Sequence, residues 1–372
     1  MSNLFFVYTP FQFYVAQELI RQEHLTNNIL LKGYVGNSTQ FLEIFDYLKV
    51  DGYWQKEYLM PNIGPWLCVD LYHPLSSMCR IRRDYKHIRS LIKENNIDTL
   101  YFGDLNNFSA RLASRIFPRQ GLKICFYEEG ASHYDLSLVG GQLGHRSFMA
   151  QLYKTFFDTF LYLPTFHQRL GYYTFVKATP FSNLKVDARY SIIPQYHEPY
   201  DKLLKVSGVL GEKAKQYIQQ ECASINIDNS ILFLDQPIYE IVQGSIPCYI
   251  QTIRKYFSTL SKDTSVVIKY HPRETDDIKQ QIEQTFMELG LNYTVISKAI
   301  NLPVEFYLQQ IHFKEVVNFF TSTAFYSGYL FQKLPFHYLI MDFYNKCQDQ
   351  VPENAHYLEG LVKLYKEQAD VK

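Results

Sequence analysis

Short unbroken apolar runs alternate with amphipathic stretches along the whole chain. Leu4–Tyr8, Ile29–Val35, Thr99–Phe102 and Leu122–Tyr127 have strand length in the first half. Ser230–Leu234, Ser265–Ile268, Asn292–Ile296, Glu315–Phe320 and Phe336–Met341 follow in the second. Continuous rather than alternating hydrophobicity marks strands covered on both faces, as in a parallel sheet. Between these runs the spacing turns helical: Val15, Ala16, Leu19 and Ile20, then Arg80–Lys93, Glu212–Glu221, Ile246–Leu260, Ile278–Leu289 and a helix opening at Leu302. Thr9 followed by Pro10 supplies a cap and a preset φ for the first helix. Phe148, Leu152, Phe156 and Phe160 recur every fourth residue, a stripe that suits a core better than a membrane surface. Strand and helix in alternation predict an α/β fold.

Ser182–Asp201 is polar, holds Pro194 and Pro199, and lacks helical periodicity, so the linker between two domains is expected there. The expected organisation is a first domain over 1–190, a second over 191–350, and a terminal helix within 351–372 that packs back on the first. A chain of 372 residues has room for both.

Charge narrows the function. Lys+Arg and Asp+Glu are each 37, which argues against a nucleic-acid binder. Six scattered cysteines without a Cys-x-x-Cys argue against a zinc site or disulfide framework and fit a reducing compartment. No run approaches the roughly 20 apolar residues that span a bilayer. A cytoplasmic protein is expected, with the basic run Arg80–Lys93 either a solvated helix face or a peripheral contact with an anionic inner membrane. Nucleotide-binding glycine motifs are absent, as is any Asp-x-Asp for a cation-assisted sugar transfer.

Chemistry collects where strands end. Ile268-Lys269-Tyr270-His271-Pro272-Arg273-Glu274 puts a histidine in a tight turn just past a buried strand. In α/β proteins ligands bind beyond the carboxyl ends of strands. Glu128-Glu129-Gly130 places paired carboxylates at another such end, where crowding would raise the pKa of one and suit it to accept a hydroxyl proton. Asp235-Gln236-Pro237, Gly103-Asp104 and Thr321-Ser322-Thr323 follow three more strands, and Gln12 lies in the first turn of the first helix. Small hydroxyl residues at a helix start serve as caps or as phosphate donors. Taken singly, each of these stretches reads equally as an ordinary turn.

Together they resemble the bacterial sialyltransferases of GT-B architecture, closest in pattern to glycosyltransferase family 52, with signatures shared by bacterial polysialyltransferases and marine multifunctional sialyltransferases. The matching residues are Tyr8-Thr9-Pro10-Phe11-Gln12, Tyr127-Glu128-Glu129-Gly130, Lys269-Tyr270-His271-Pro272-Arg273 and Thr321-Ser322-Thr323. The resemblance implies two Rossmann-like domains with a cleft between them. It also implies inverting, metal-independent transfer of sialic acid from CMP-sialic acid to an oligosaccharide acceptor such as lipooligosaccharide or capsule, with no cofactor. By the same resemblance Glu128 is the general base with Glu129 beside it, and His271 stabilises or protonates the phosphate. Ser322 and Thr323 hold phosphate oxygens, Glu305 holds the ribose, and Lys269 approaches the base or phosphate. Some family 52 members draw the base from an Asp after the strand that here ends at Leu234. No Asp stands at the matching place, so Asp235 and Glu240 stay open as alternates to Glu128. Other donors, such as another CMP-nonulosonic acid or UDP-glucose, also stay open, as do a nucleotide-sugar epimerase or binder of this fold and a homodimer.

Overall fold

The computed structural model describes residues 1–33, 40–60, 83, 86–103, 121–128, 187–193, 202–223, 225, 229–240 and 245–347. The chain divides into two compact units, Met1–Glu212 and Lys213–Lys372.

The first unit holds a seven-stranded parallel sheet. Its strands are β1 (Ser2–Val7), β2 (Asn28–Lys32), β3 (Lys56–Leu59), β4 (Ile97–Phe102), β5 (Lys123–Tyr127), β6 (Ala188–Ser191) and β7 (Lys202–Leu203). They lie in the order β3-β2-β1-β4-β5-β6-β7, so the chain reverses direction across the sheet between β1 and β4. This is the Rossmann order, with its switch point at that reversal. Leu4 to Val7 have no exposed surface, as the continuous apolar run predicts, and Phe5 stacks on Tyr101 with ring centroids 4.4 Å apart. Helix α1 (Pro10–Gln22) starts as its sequence dictates: Thr9 Oγ1 accepts from Gln12 N at 3.2 Å and Pro10 opens the first turn. Helix α2 (Gln40–Leu48) buries Ile44, Phe45 and Leu48. Residues 86–94 are also helical; Ile88 and Leu91 are buried while Lys86, Arg89 and Lys93 are exposed.

The second unit carries a five-stranded parallel sheet, β8 (Ser230–Leu234), β9 (Ser265–Lys269), β10 (Asn292–Ile296), β11 (Glu315–Asn318) and β12 (Phe336–Tyr338). The order β10-β9-β8-β11-β12 repeats the first five positions of the Rossmann pattern, with the reversal between β8 and β11. Its helices are α3 (Glu212–Cys222), α4 (Ile246–Phe257), α5 (Asp276–Glu288), α6 (Val304–Gln310) and α7 (Ile340–Cys347). Phe233 of β8, Phe257 of α4 and Phe286 of α5 meet edge to face in the core. Thr275 caps α5, and Asp276 and Asp277 in its first turn complement the helix dipole.

The units divide later in the chain than the 190/191 boundary and the 182–201 linker expected from sequence. The reason is that β6 and β7 extend the first sheet. The chain after them is strapped down on the same unit. Arg21 Nη2 donates to Lys205 O at 2.6 Å, Lys205 N donates to Gln22 Oε1 at 2.7 Å, and Gly211 N reaches Leu48 O at 3.2 Å. A Cβ on Gly211 would stand 2.4 Å from Lys49 O, so only glycine passes there. The last strand is shorter than expected and gives way to α7, which takes in Met341. The aromatic stripe at 148–160, the terminal helix, Arg80, Arg82, Asp104, Glu129 and Gly130 lie outside the described residues.

Candidate active site

In a parallel sheet every strand delivers its carboxyl end to the same edge. In the second unit that edge gathers most of the residues singled out from sequence. Asp235 and Gln236 leave β8, Lys269 ends β9 with His271 two residues on, Glu305 sits in the first turn of α6, and Thr321–Thr323 follow β11. Gln236 spans the switch point, its Oε1 accepting from Phe320 N at 2.7 Å. A side chain thus ties the segments that follow β8 and β11.

His271 begins a turn closed by Glu274 N donating to His271 O at 2.9 Å, with the exposed Pro272 fixing the second position. Arg273 N donates to His271 Nδ1 at 3.2 Å. The ring therefore accepts at Nδ1, and its proton resides on Nε2 as a free donor. Burial, helped by the charges of Arg273 and Lys269, pushes the imidazole pKa down to about 4. At neutral pH the ring is an uncharged N–H donor.

Lys269 is buried, and its Nζ donates to Asn301 Oδ1. Burial lowers its pKa to about 8, against the pull of Glu305 and Glu221. Glu305 is also buried, which raises its pKa. Thr323 Oγ1 donates to Glu305 Oε1 at 2.7 Å. Ser322 differs from Thr323: it is exposed, whereas Thr323 is buried and committed to Glu305. Thr321 Oγ1 accepts from Thr323 N at 3.2 Å and so caps the short helical turn Ser322–Tyr326.

Behind the turn lie two buried carboxyls. Asp235 Oδ1 accepts from the Tyr249 hydroxyl, and its Oδ2 takes a long hydrogen bond of 3.4 Å from His271 N. Glu274 Oε1 accepts from the Tyr239 hydroxyl and from Thr275 N at 2.8 Å. Burial and the neighbouring Glu274 raise the Asp235 pKa well above the usual carboxyl range. Glu274, Asn301, Tyr239 and Tyr249 were not singled out from sequence. Glu274 stood inside the histidine motif, but a lone Glu closing a turn reads as solvated. Asn301, just before Leu302-Pro303, carried no signal of its own.

In the first unit Glu128 follows β5 and is fully buried. Its Oε2 accepts from Ile192 N at 2.6 Å, and its own N donates to Tyr190 O at 3.1 Å, so it closes the ends of β5 and β6. Gln12 lies at this unit's switch point. Its Oε1 accepts from Tyr8 N at 2.7 Å, and its carbon chain fills the space that a side chain at Gly103 would need. Among the described residues no group of His, Cys, Asp or Glu could hold a metal ion, and no helix is long and apolar enough to cross a membrane.

Two Rossmann-like units in one chain are the parts of a GT-B glycosyltransferase. The family model for alpha-2,8-polysialyltransferases (POLYST) matches residues 3–339. The chain belongs to the alpha-2,8-polysialyltransferase family. Membership in this family implies sialyl transfer from a nucleotide-sugar donor to a glycan acceptor. Bacterial polysialyltransferases were among the families that the sequence was expected to resemble. No curated protein matches the chain.

Solved structures of similar shape include an Arabidopsis thaliana UGT complexed with UDP, at 11% identity, 98% coverage of this chain, 93% of that one and a TM-score of 0.49. An S. aureus MnaA–UDP co-structure follows at 9% identity, 97% and 91% coverage and a TM-score of 0.47. A Methanocaldococcus jannaschii UDP-GlcNAc 2-epimerase in complex with UDP-GlcNAc and UDP matches at 12% identity, 90% and 83% coverage and a TM-score of 0.44. The fold assignment rests on the strand orders rather than on these likenesses.

Proposed function

We propose that the protein is an inverting, metal-independent sialyltransferase that moves sialic acid from CMP-sialic acid to a hydroxyl of a surface glycan. The observation that carries this reading is the fixed tautomer of His271, which offers Nε2–H at a Rossmann carboxyl edge also furnished with Ser322, Glu305 and Lys269. The alpha-2,8-polysialyl family name favours a capsule-type polymer over lipooligosaccharide as the acceptor.

Breaking the ketosidic bond places negative charge on the CMP phosphate and oxocarbenium character on the sugar. An N–H aimed at the phosphate is worth most where charge develops. As the leaving phosphate gains charge it raises the basicity of His271, which lets the ring stabilise or protonate the leaving group. Ser322, exposed and uncommitted, is the better phosphate donor of the hydroxyl pair. Thr323 orients Glu305, which takes the ribose hydroxyls. Glu128 receives the acceptor proton, with Glu129 and Gly130 beside it. Asp235, bonded to Tyr249 and His271 N, takes a supporting role behind the histidine turn. Action at the cytoplasmic side of the inner membrane belongs to the same reading.

Thermal-shift titration with CMP and UDP tests the donor: CMP is expected to stabilise and UDP not. Release of CMP from CMP-sialic acid in excess EDTA tests the chemistry. Stabilisation by UDP alone, or turnover abolished by EDTA and restored by Mg²⁺, overturns the reading.

A further inference from the structure

We infer that Asp235 and Glu274 share a single proton and act as a positioning pair for the His271 turn. Both carboxyls are buried, and the rings of Tyr249 and Tyr239, whose hydroxyls donate to Asp235 and to Glu274, meet edge to face with centroids 5.2 Å apart, so the two carboxyls are neighbours. Three of their four oxygens have donors: Tyr249 and His271 N on Asp235, and Tyr239 with Thr275 N on Glu274 Oε1. The fourth, Glu274 Oε2, is buried and has none. A buried acceptor without a donor is costly, and two ionised carboxylates in contact repel strongly in a dry site. One proton between them removes both costs at once.

The groups facing the pair supply no rival counter-charge. They are the phenols of Tyr239, Tyr249 and Tyr270 and the backbone of the histidine turn. No described Lys or Arg pairs with either carboxyl; Arg273 turns away to Glu240 at 3.4 Å. The pair also grips the turn at both ends. Asp235 holds His271 N, and its own N donates to Lys269 O at 3.1 Å; Glu274 closes the turn with its N on His271 O. The Nδ1 contact that fixes the imidazole tautomer lies between those two anchors. Neither carboxyl need touch substrate for this role.

The link from this pair to turnover rests on the sialyl-transfer reading, but the shared proton does not. Infrared difference spectra of the full chain at pH 7, wild type against Glu274→Gln and against Asp235→Asn, are expected to show one buried carboxylic-acid C=O band lost in both variants. Histidine ¹⁵N spectra, assigned with His271→Gln, are expected to keep the His271 tautomer in Glu274→Gln and lose it in Glu274→Ala. Turnover should stay within about threefold of wild type in Glu274→Gln and fall on the order of tenfold to a hundredfold in Glu274→Ala, mostly in kcat. Absence of a carboxylic-acid band in the wild type overturns the shared proton. A Gln variant that disturbs His271 as much as the Ala variant overturns the positioning role. Both spectra decide the matter even if CMP-sialic acid proves not to be the donor.

Discussion

His271 shows how one backbone contact can set the chemistry of a side chain. With Arg273 N on Nδ1, the ring can only offer a proton from Nε2. Burial keeps it neutral, with a folded pKa of about 4. An unfolded histidine titrates near 6.5, so between these values the unfolded chain binds more protons. The stability held by the neutral ring is therefore complete above about 6.5 and is lost as pH falls toward 4. Urea unfolding at pH 7 and pH 5 should show wild type losing more stability than His271→Gln over this interval. Equal losses would mean the ring is not buried neutral. If the ring serves the phosphate, His271→Ala should lower kcat by about 10²- to 10³-fold, with a smaller change in KM for the donor. Much of this was legible in the sequence, because a His-Pro after a buried strand announces itself. What lay beneath it was not: the partnership of Asp235 with Glu274 joins residues 39 positions apart by number, and only the pairing of β8 with β9 brings them together.

At the level of elements, the strands buried on both faces were the ones the sequence revealed. β8, buried at every position, falls on the expected residues because its apolar run ends abruptly in a polar turn; β10 does so too, although it is a half-buried edge strand. β6 escaped notice because Ala188-Arg189-Tyr190-Ser191, though mostly buried, is no apolar run, and β3 and β7 for the opposite reason. β3 is an edge strand with an exposed pattern, and β7 is two residues long, so neither carries a hydrophobic signature. The element that best explains the late unit boundary is α1. Glu18, fully buried on it, accepts from Tyr14 Oη at 3.1 Å, Arg21 Nε at 3.0 Å, Ser207 N and Oγ at 3.1 Å each, and Val209 N at 2.8 Å. Helical spacing gave no hint that a charged residue would face inward. Hydrogen bonds to a buried charge are worth about 1.5–3 kcal/mol apiece, and an amide in its place turns an N–H toward donors. Glu18→Gln should therefore destabilise the chain by about 2–3 kcal/mol in denaturant unfolding. It should also speed hydrogen exchange at Ser207 and Val209 while leaving exchange in the second sheet unchanged. Uniform loss of protection across both sheets would show that Glu18 supports global stability rather than this strap.

For the whole molecule, two Rossmann-like units imply a division of labour, and that division can be tested without knowing the acceptor. The nucleotide-facing candidates, His271, Glu305, Ser322 and Lys269, all belong to the second unit, whereas Glu128 belongs to the first. A ligand that binds the folded state stabilises it by RT ln(1 + [L]/Kd), so the thermal shift with CMP reports nucleotide binding independently of turnover. If the second unit alone grips the nucleotide, Glu128→Gln should keep the full CMP shift and yet lose transfer to acceptor. Ser322→Ala should shrink the CMP shift and raise KM for the donor. Combining Glu128→Gln with His271→Ala should cost less than the product of the single losses in kcat, because groups that serve one reaction step are non-additive. A CMP shift abolished by Glu128→Gln would place nucleotide binding partly in the first unit. Losses that multiply would show that the carboxylate and the imidazole lower the barrier independently rather than as a unit.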